Sequence, residues 1–180
     1  MLKYLVIYAS VTGNTRLLAE EIYNALPVST KEKKLVDVRS WHGETDAETY
    51  FVGFWANRGS CTLEIIDLLS SLHCRNVALF GTCGMGAGSR YYDALEQNAR
   101  VWLSESNNFL GSYFCQGKMP IEIRQKYESY RGKADDAKID QMLSYFDEAA
   151  SHPNKQDFMH AHMFTEDIVS RVKQLSLEYA

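Results

Sequence analysis

The sequence predicts a doubly wound α/β fold: five parallel strands with helices on both faces of the sheet. Three observations point there. Short, nearly unbroken apolar runs rich in β-branched and aromatic residues recur along the chain. Segments with helical apolar spacing separate these runs, and polar, glycine-bearing stretches follow them. Strands covered on both faces read as continuous apolar runs, whereas half-exposed strands alternate. Strand–helix–strand order in turn implies right-handed crossovers and parallel pairing. With 180 residues, the chain fits one domain with one substantial core.

The first run, LKYLVIYA (2–9), is the first strand. A helix over 14–26 follows, with Leu18, Ile22 and Ala25/Leu26 at helical spacing and Pro27 just beyond. KLVDV (34–38) is the second strand; a polar loop with Trp41 and Gly43 leads to the third, TYFVGFW (49–55). Residues 60–72 read as a helix capped by Ser60, with a stripe of Leu63, Ile66, Leu69 and Leu72. NVALFG (76–81) is the fourth strand, followed by the glycine-rich TCGMGAGS. A helix from Ser89 to Leu103 carries Tyr92, Leu95, Ala99 and Trp102, and FLGSYFCQG (109–117) is the fifth strand. The remainder is helical: 121–131, then 135–150 with Ile139, Met142, Leu143 and Phe146 on one stripe, then 155–178 with Ile168, Val172 and Leu175.

Composition narrows the function classes. Hydrophobic residues at 46% and charged residues at 23% describe a globular chain rather than a disordered one. No apolar run approaches the roughly 20 residues that span a bilayer. The opening MLKYLVIYAS lacks the apolar core and cleavage site of a signal peptide, so a cytoplasmic protein is expected. The net charge of -4, with 19 scattered Lys and Arg, argues against nucleic acid as a partner. Cys61, Cys74, Cys83 and Cys115 form no C-x-x-C pair, so neither a disulfide scaffold nor a structural zinc site is expected. His160 and His162 would diverge on a helix, which removes the remaining metal candidate.

In a doubly wound sheet, ligands bind outside the carboxyl ends of the strands. Three polar loops fall there: 10–15, 54–60 and 82–89. In the first, Ser10, Thr12, Asn14 and Thr15 offer side-chain donors, and Gly13 lets backbone approach a ligand. The helix starting near Asn14 adds unpaired N–H groups and a partial positive charge. That combination forms an anion site suited to a monophosphate. A triphosphate with Mg²⁺ would want G-x-x-x-x-G-K-[ST], which is absent. Gly84 to Ser89 forms only a degraded G-x-G-x-x-G, and it follows the fourth strand rather than the first, which disfavours a dinucleotide site.

Y-A-S-V-T-G-N-T resembles the phosphate-binding loop of flavodoxins, whose pattern is [ST]-x-T-G-[NT]-T at the end of the first strand. GFWANRG (53–59) is similar to the flavodoxin loop that sets an aromatic ring against FMN. GTCGMGAGSRYY (81–92) sits where these proteins carry their second flavin loop. The W-x-x-x-G of residues 55–59 and H-P-N-x-x-D (152–157) are similar to a subgroup of small flavodoxin-like proteins from anaerobes. The likeness covers about residues 1–117 and the last helix; residues 118–160 form an extra helical segment within one domain, 1–180.

The resemblance implies a three-layer sandwich with strand order 2-1-3-4-5 and FMN as cofactor. Ser10, Val11, Thr12, Gly13, Asn14 and Thr15 would hold its phosphate. Phe54, Trp55, Ala56 and Asn57 would belong to the same site, with Trp55 stacked on the ring and Ala56 and Asn57 presenting backbone to its N5 edge. Flavodoxins often place Gly in that peptide, where one conformer has positive φ; here Asn57 is the residue that tolerates it. Thr82, Cys83, Gly84 and Met85 would line the pyrimidine edge, and Tyr91 or Tyr92 could cover the outer face. The function implied is electron shuttling between a reductase and an acceptor protein, with no catalytic residue and no membrane or nucleic-acid partner. Two alternatives stay open: an FMN-dependent reductase or quinone reductase acting on a small substrate, and a flavin-free binding module on the same fold.

Overall fold

The computed structural model describes residues 1–43, 45–85 and 88–178. The part of the Gly84–Ser89 motif formed by Gly86 and Ala87 lies outside them. Five strands form: β1 (Leu2–Tyr8), β2 (Lys33–Asp37), β3 (Ala47–Trp55), β4 (Asn76–Cys83) and β5 (Asn108–Gln116). They pair in parallel in the order β2-β1-β3-β4-β5. The helices are α1 (Asn14–Ala25), α2 (Leu63–Ser71), α3 (Ser89–Arg100), α4 (Ile121–Glu128), α5 (Asp136–Ala149) and α6 (Lys155–Glu178).

Strand alternation sorts the core into two layers. Tyr4, Val6, Phe51, Ala78 and Phe80 pack under Leu18 and Ile22 of α1 and Ile168, Val169 and Val172 of α6. Leu5, Ile7, Val52, Phe54, Val77 and Leu79 pack under Ile65, Leu68 and Leu69 of α2 and Leu95 and Ala99 of α3. The three-layer sandwich and strand order are those expected. The order reverses at β1, so the carboxyl ends of β1 and β3 form the switch point.

Several local expectations need correction. Ser60 does not cap α2; Thr62 holds that position, and Leu63 is 75% exposed. The buried stripe is Ile65, Leu68, Leu69 and Leu72. That i, i+3, i+4, i+7 set covers a wider face than residues three apart, so it wins the core. Val38 leaves the second strand for a short 3₁₀ turn (Val38–Ser40), where the Asp37 carboxylate accepts from the Arg39 N–H at 3.0 Å. Helix α3 stops at Arg100, and Trp102 is 43% exposed instead of lining the core.

The segment after β5 packs partly on itself. Ile139, Leu143, Phe146 and Ala149 of α5 are buried, while α4 buries no residue. The Arg124 guanidinium lies over the Phe146 ring, 5.6 Å from its centroid, and pairs with Glu128 and Asp147. H-P-N-x-x-D turns out to cap α6. Asn154 Oδ1 accepts from the N–H groups of Gln156 and Asp157, while Asp157 Oδ2 accepts from the Asn154 N–H at 2.7 Å and meets His152 Nδ1 at 2.6 Å. This reciprocal arrangement satisfies helix-start donors that would otherwise be unpaired.

Candidate functional site

The loop after β1 holds its shape largely from within. Gly13 sits in the left-handed region at φ 91°, and its N–H donates to Ser10 Oγ at 3.2 Å. Nothing lies within 4 Å of where its Cβ would stand, so conformation rather than space demands glycine here. Leu17 N–H makes the first helical bond to Gly13 O at 3.0 Å. The amides of Asn14 and Thr15 are therefore helix-start donors without intrahelical acceptors. The first turn of α1 carries no acidic residue, so the helix-end charge meets no carboxylate there. Arg16 pairs with Glu20 at 2.8 Å on the surface. Val11 and Thr12 are exposed.

Two side chains of this loop face the rest of the protein. Asn14 Nδ2 donates to Lys118 O at 2.8 Å and to Thr12 Oγ1 at 2.9 Å, so both amide hydrogens are engaged. Thr15 is buried, its hydroxyl 2.9 Å from that of Thr82 at the end of β4. Asn14 is thus a brace, and Thr15 joins the first loop to the third.

At the end of β3, Trp55 is half-buried, while Phe54 is fully buried against Phe114 with ring centroids 5.5 Å apart. Only the backbone of Phe54 can face the loops. Ala56 N–H donates to Thr82 O at 2.8 Å. The chain then turns sharply: Asn57 and Ser60 exchange backbone bonds of 2.8 and 3.1 Å around Arg58 (φ 51°) and Gly59 (φ 81°). Positive φ at both central residues is the mark of a type I′ turn. The positive φ that the sequence suggests for Asn57 falls instead on the next two residues. Asn98 of α3 donates to Gly59 O at 2.7 Å and anchors the turn.

After β4, Thr82 and Cys83 are buried, and the Cys83 thiol donates to Met85 O at 3.3 Å. Burial pushes this thiol from an ordinary 9.0 up to about 12. It is neutral at physiological pH, which leaves no thiolate for nucleophilic chemistry. All four cysteines are free, and of them Cys74 alone is exposed. Tyr92 packs on Phe114, ring centroids 6.2 Å apart, and Tyr91 is half-buried beside the same core. Burial raises both hydroxyls.

A fourth segment joins these loops, and the sequence reading misses it. Gly117 N–H donates to Cys83 O at 2.9 Å, and a Cβ on Gly117 would stand 2.9 Å from Asn14 Nδ2. A Cβ on Gly84 would overlap the thioether of Met119. Tyr127 of α4 donates to Met85 Sδ at 3.8 Å, and Lys118 N–H donates to His152 O at 2.8 Å. The signal was present as Q-G-K-M-P, a glycine and a proline at the carboxyl end of the fifth strand. A cleft of about 520 Å³ beside Gln97, Arg100, Leu103 and Phe109 lies at the opposite edge of the sheet. No group of three or more His, Cys, Asp or Glu suited to a metal occurs among the described residues.

The sequence model of the flavodoxin domain matches residues 5–166. The chain is 33% identical over 174 residues to the flavodoxin-like domain-containing protein BilS of Clostridioides difficile (strain CD3), covering 93% of this chain and 97% of that one. It is 32% identical over 171 residues to BilS of Clostridium symbiosum (strain WAL-14163), covering 87% and 90%. Among solved structures, a flavodoxin from the domain Archaea superposes with a TM-score of 0.57 at 16% identity, covering 96% of this chain and 99% of that one. Oxidised flavodoxin 1 from Bacillus cereus gives 0.59 at 16% identity, covering 93% and 97%. At such identities the structural likeness concerns the fold alone. The family match and the BilS relatives go further: this chain belongs to the flavodoxin family, whose fold is that of flavin-binding electron-transfer proteins.

Proposed function

We propose that this protein binds FMN non-covalently and carries electrons between a reductase and an acceptor protein. The observation that carries the reading is the loop after β1. It combines a left-handed Gly13, helix-start amides at Asn14 and Thr15, and no carboxylate in the first turn of α1. This donor set suits a phosphate monoester, which needs several N–H and O–H donors and no metal. In this reading Ser10, Val11, Thr12, Gly13, Asn14 and Thr15 hold the phosphate, Asn14 and Thr15 through their amides.

At the other end, Trp55 offers a ring face for stacking, worth about 1 kcal/mol beyond burial. Ala56 and Asn57 offer backbone groups to one edge of the ring, and Thr82, Cys83, Gly84 and Met85 offer them to the other. Phe54, its ring held against Phe114, offers the site only its backbone. The bound flavin would supply the redox chemistry, and the protein supplies position and electrostatics. No acid, base or nucleophile is required, which agrees with a Cys83 thiol held neutral. Residues 82–89 contain no Asp or Glu, and Arg58, Arg90 and Lys118 border the site. That positive rim favours an anionic reduced flavin and an acceptor surface that is not basic. A cytoplasmic location belongs to the same reading; no helix among the described residues is long and apolar enough to cross a membrane.

The test is to add FMN to the purified protein, desalt it and record the absorbance. An oxidised-flavin spectrum that stays with the protein is the expected result; a colourless protein would support the flavin-free module instead. NAD(P)H and a quinone are then added to the loaded protein. A carrier gives no sustained NAD(P)H oxidation by itself, whereas steady turnover would identify a reductase.

A further inference from the structure

Gln116, the last residue of β5, is 2% exposed. Among the described residues, neither its Nε2 nor its Oε1 has a hydrogen-bond partner. A buried carboxamide with both ends unpaired costs stability, and native proteins rarely keep one without a reason. Trp41 Nε1 and Thr62 Oγ1 are also buried and unpaired, but each is a single group. Gln116 holds a donor and an acceptor side by side.

Its position is informative. Gln116 stands opposite Cys83 in the β4–β5 register, and the next residue, Gly117, donates to Cys83 O at 2.9 Å. By strand alternation it shares the sheet face of Phe114, on which Tyr92 packs. The unpaired amide therefore adjoins Thr82–Met85, the segment assigned above to the pyrimidine edge of the flavin. That edge presents carbonyl, N3–H and carbonyl in a row. A carboxamide is complementary to two neighbours of the row, as it is to the edge of a nucleobase.

We propose that Gln116 is a further cofactor-binding residue, its Nε2 donating to a pyrimidine carbonyl of the flavin and its Oε1 accepting from N3–H. The assignment rests on the FMN reading above. It also accounts for the unpaired amide: Gln116 destabilises the protein alone and is satisfied when the flavin is bound.

The experiment compares wild type with Gln116→Met, close in shape, and Gln116→Leu as a second variant. For each, dissociation constants are measured for FMN and for FMN methylated at N3, together with the melting temperature without flavin. Wild type should prefer FMN over the N3-methyl form. The variants should bind FMN about ten- to a hundredfold more weakly, lose that preference, and melt higher than wild type without flavin. Variants that bind FMN as tightly as wild type and keep the preference would overturn the proposal and leave the FMN reading intact. A wild-type protein that takes up no FMN would overturn both.

Discussion

The loop at residues 10–15 and the ring-side loops sit on one sheet edge but are built by different means. The first takes its shape from adjacent residues: Ser10 Oγ receives the Gly13 N–H, Gly13 turns left-handed, and α1 begins at once. The ring side is assembled from three stretches far apart in sequence, joined by Ala56 to Thr82, Gly117 to Cys83 and Met119 over Gly84. A site made by local turn chemistry persists wherever its few residues persist. One made by strand pairing depends on everything that sets the register. The phosphate end should therefore respond to single local changes, and the ring end to changes that propagate.

The sharpest separation is expected from Gly13→Val. A β-branched residue cannot hold φ 91° without strain, so the loop must rearrange or lose about 1–2 kcal/mol of stability. FMN affinity should fall roughly a hundredfold while riboflavin affinity barely changes. Equal losses for the two flavins would show that the loop does not act through the phosphate.

Next comes the junction between the two ends. Thr15→Val leaves the Thr82 hydroxyl buried and unpaired, at a cost of about 1–2 kcal/mol in urea unfolding. Adding Thr82→Val should recover much of that loss, because the double variant buries no orphaned hydroxyl. A simple sum of the two single effects would contradict the pairing.

A pH effect to which the ring side contributes is also expected. The Cys83 thiol ionises near 9.0 in an unfolded chain and near about 12 when folded. Across that window the unfolded state has released the proton and the folded state keeps it, so stability falls as pH rises through it. Burial raises Cys115 and Tyr113 as well, which adds in the same direction. The urea midpoint should decline above about pH 9, and less steeply in Cys83→Ala. With a neutral thiol reagent at pH 7, Cys74 should react fast, and Cys61, Cys83 and Cys115 only on unfolding. The smallest effect is a gain: Arg58→Asn puts the favoured Asn-Gly pair into the 57–60 turn and should add about 0.5 kcal/mol, or roughly 1–2 °C in melting temperature.

The same division explains what the sequence disclosed. The strands, the helices on both sheet faces and the form of residues 10–15 were legible because apolar runs, helical spacing and turn residues are local signals, whereas the strand order came from the resemblance to flavodoxins. The brace from Asn14 to Lys118 spans 104 positions, and no local pattern announces it. Gln116 reads as the polar end of a strand until the register places it opposite Cys83. Phe54, next to Trp55, looks equally suited to a ring site; only the pleat, which turns it onto Phe114, separates the two. In α2, two overlapping apolar stripes competed, and the wider one, Ile65, Leu68, Leu69 and Leu72, took the core.

Fluorescence titration of the purified protein with FMN and, in parallel, with riboflavin addresses the account most directly. The nest at residues 10–15 predicts saturable binding of FMN at one site and binding of riboflavin weaker by at least about tenfold. No binding of FMN, or equal affinity for the two flavins, would contradict it.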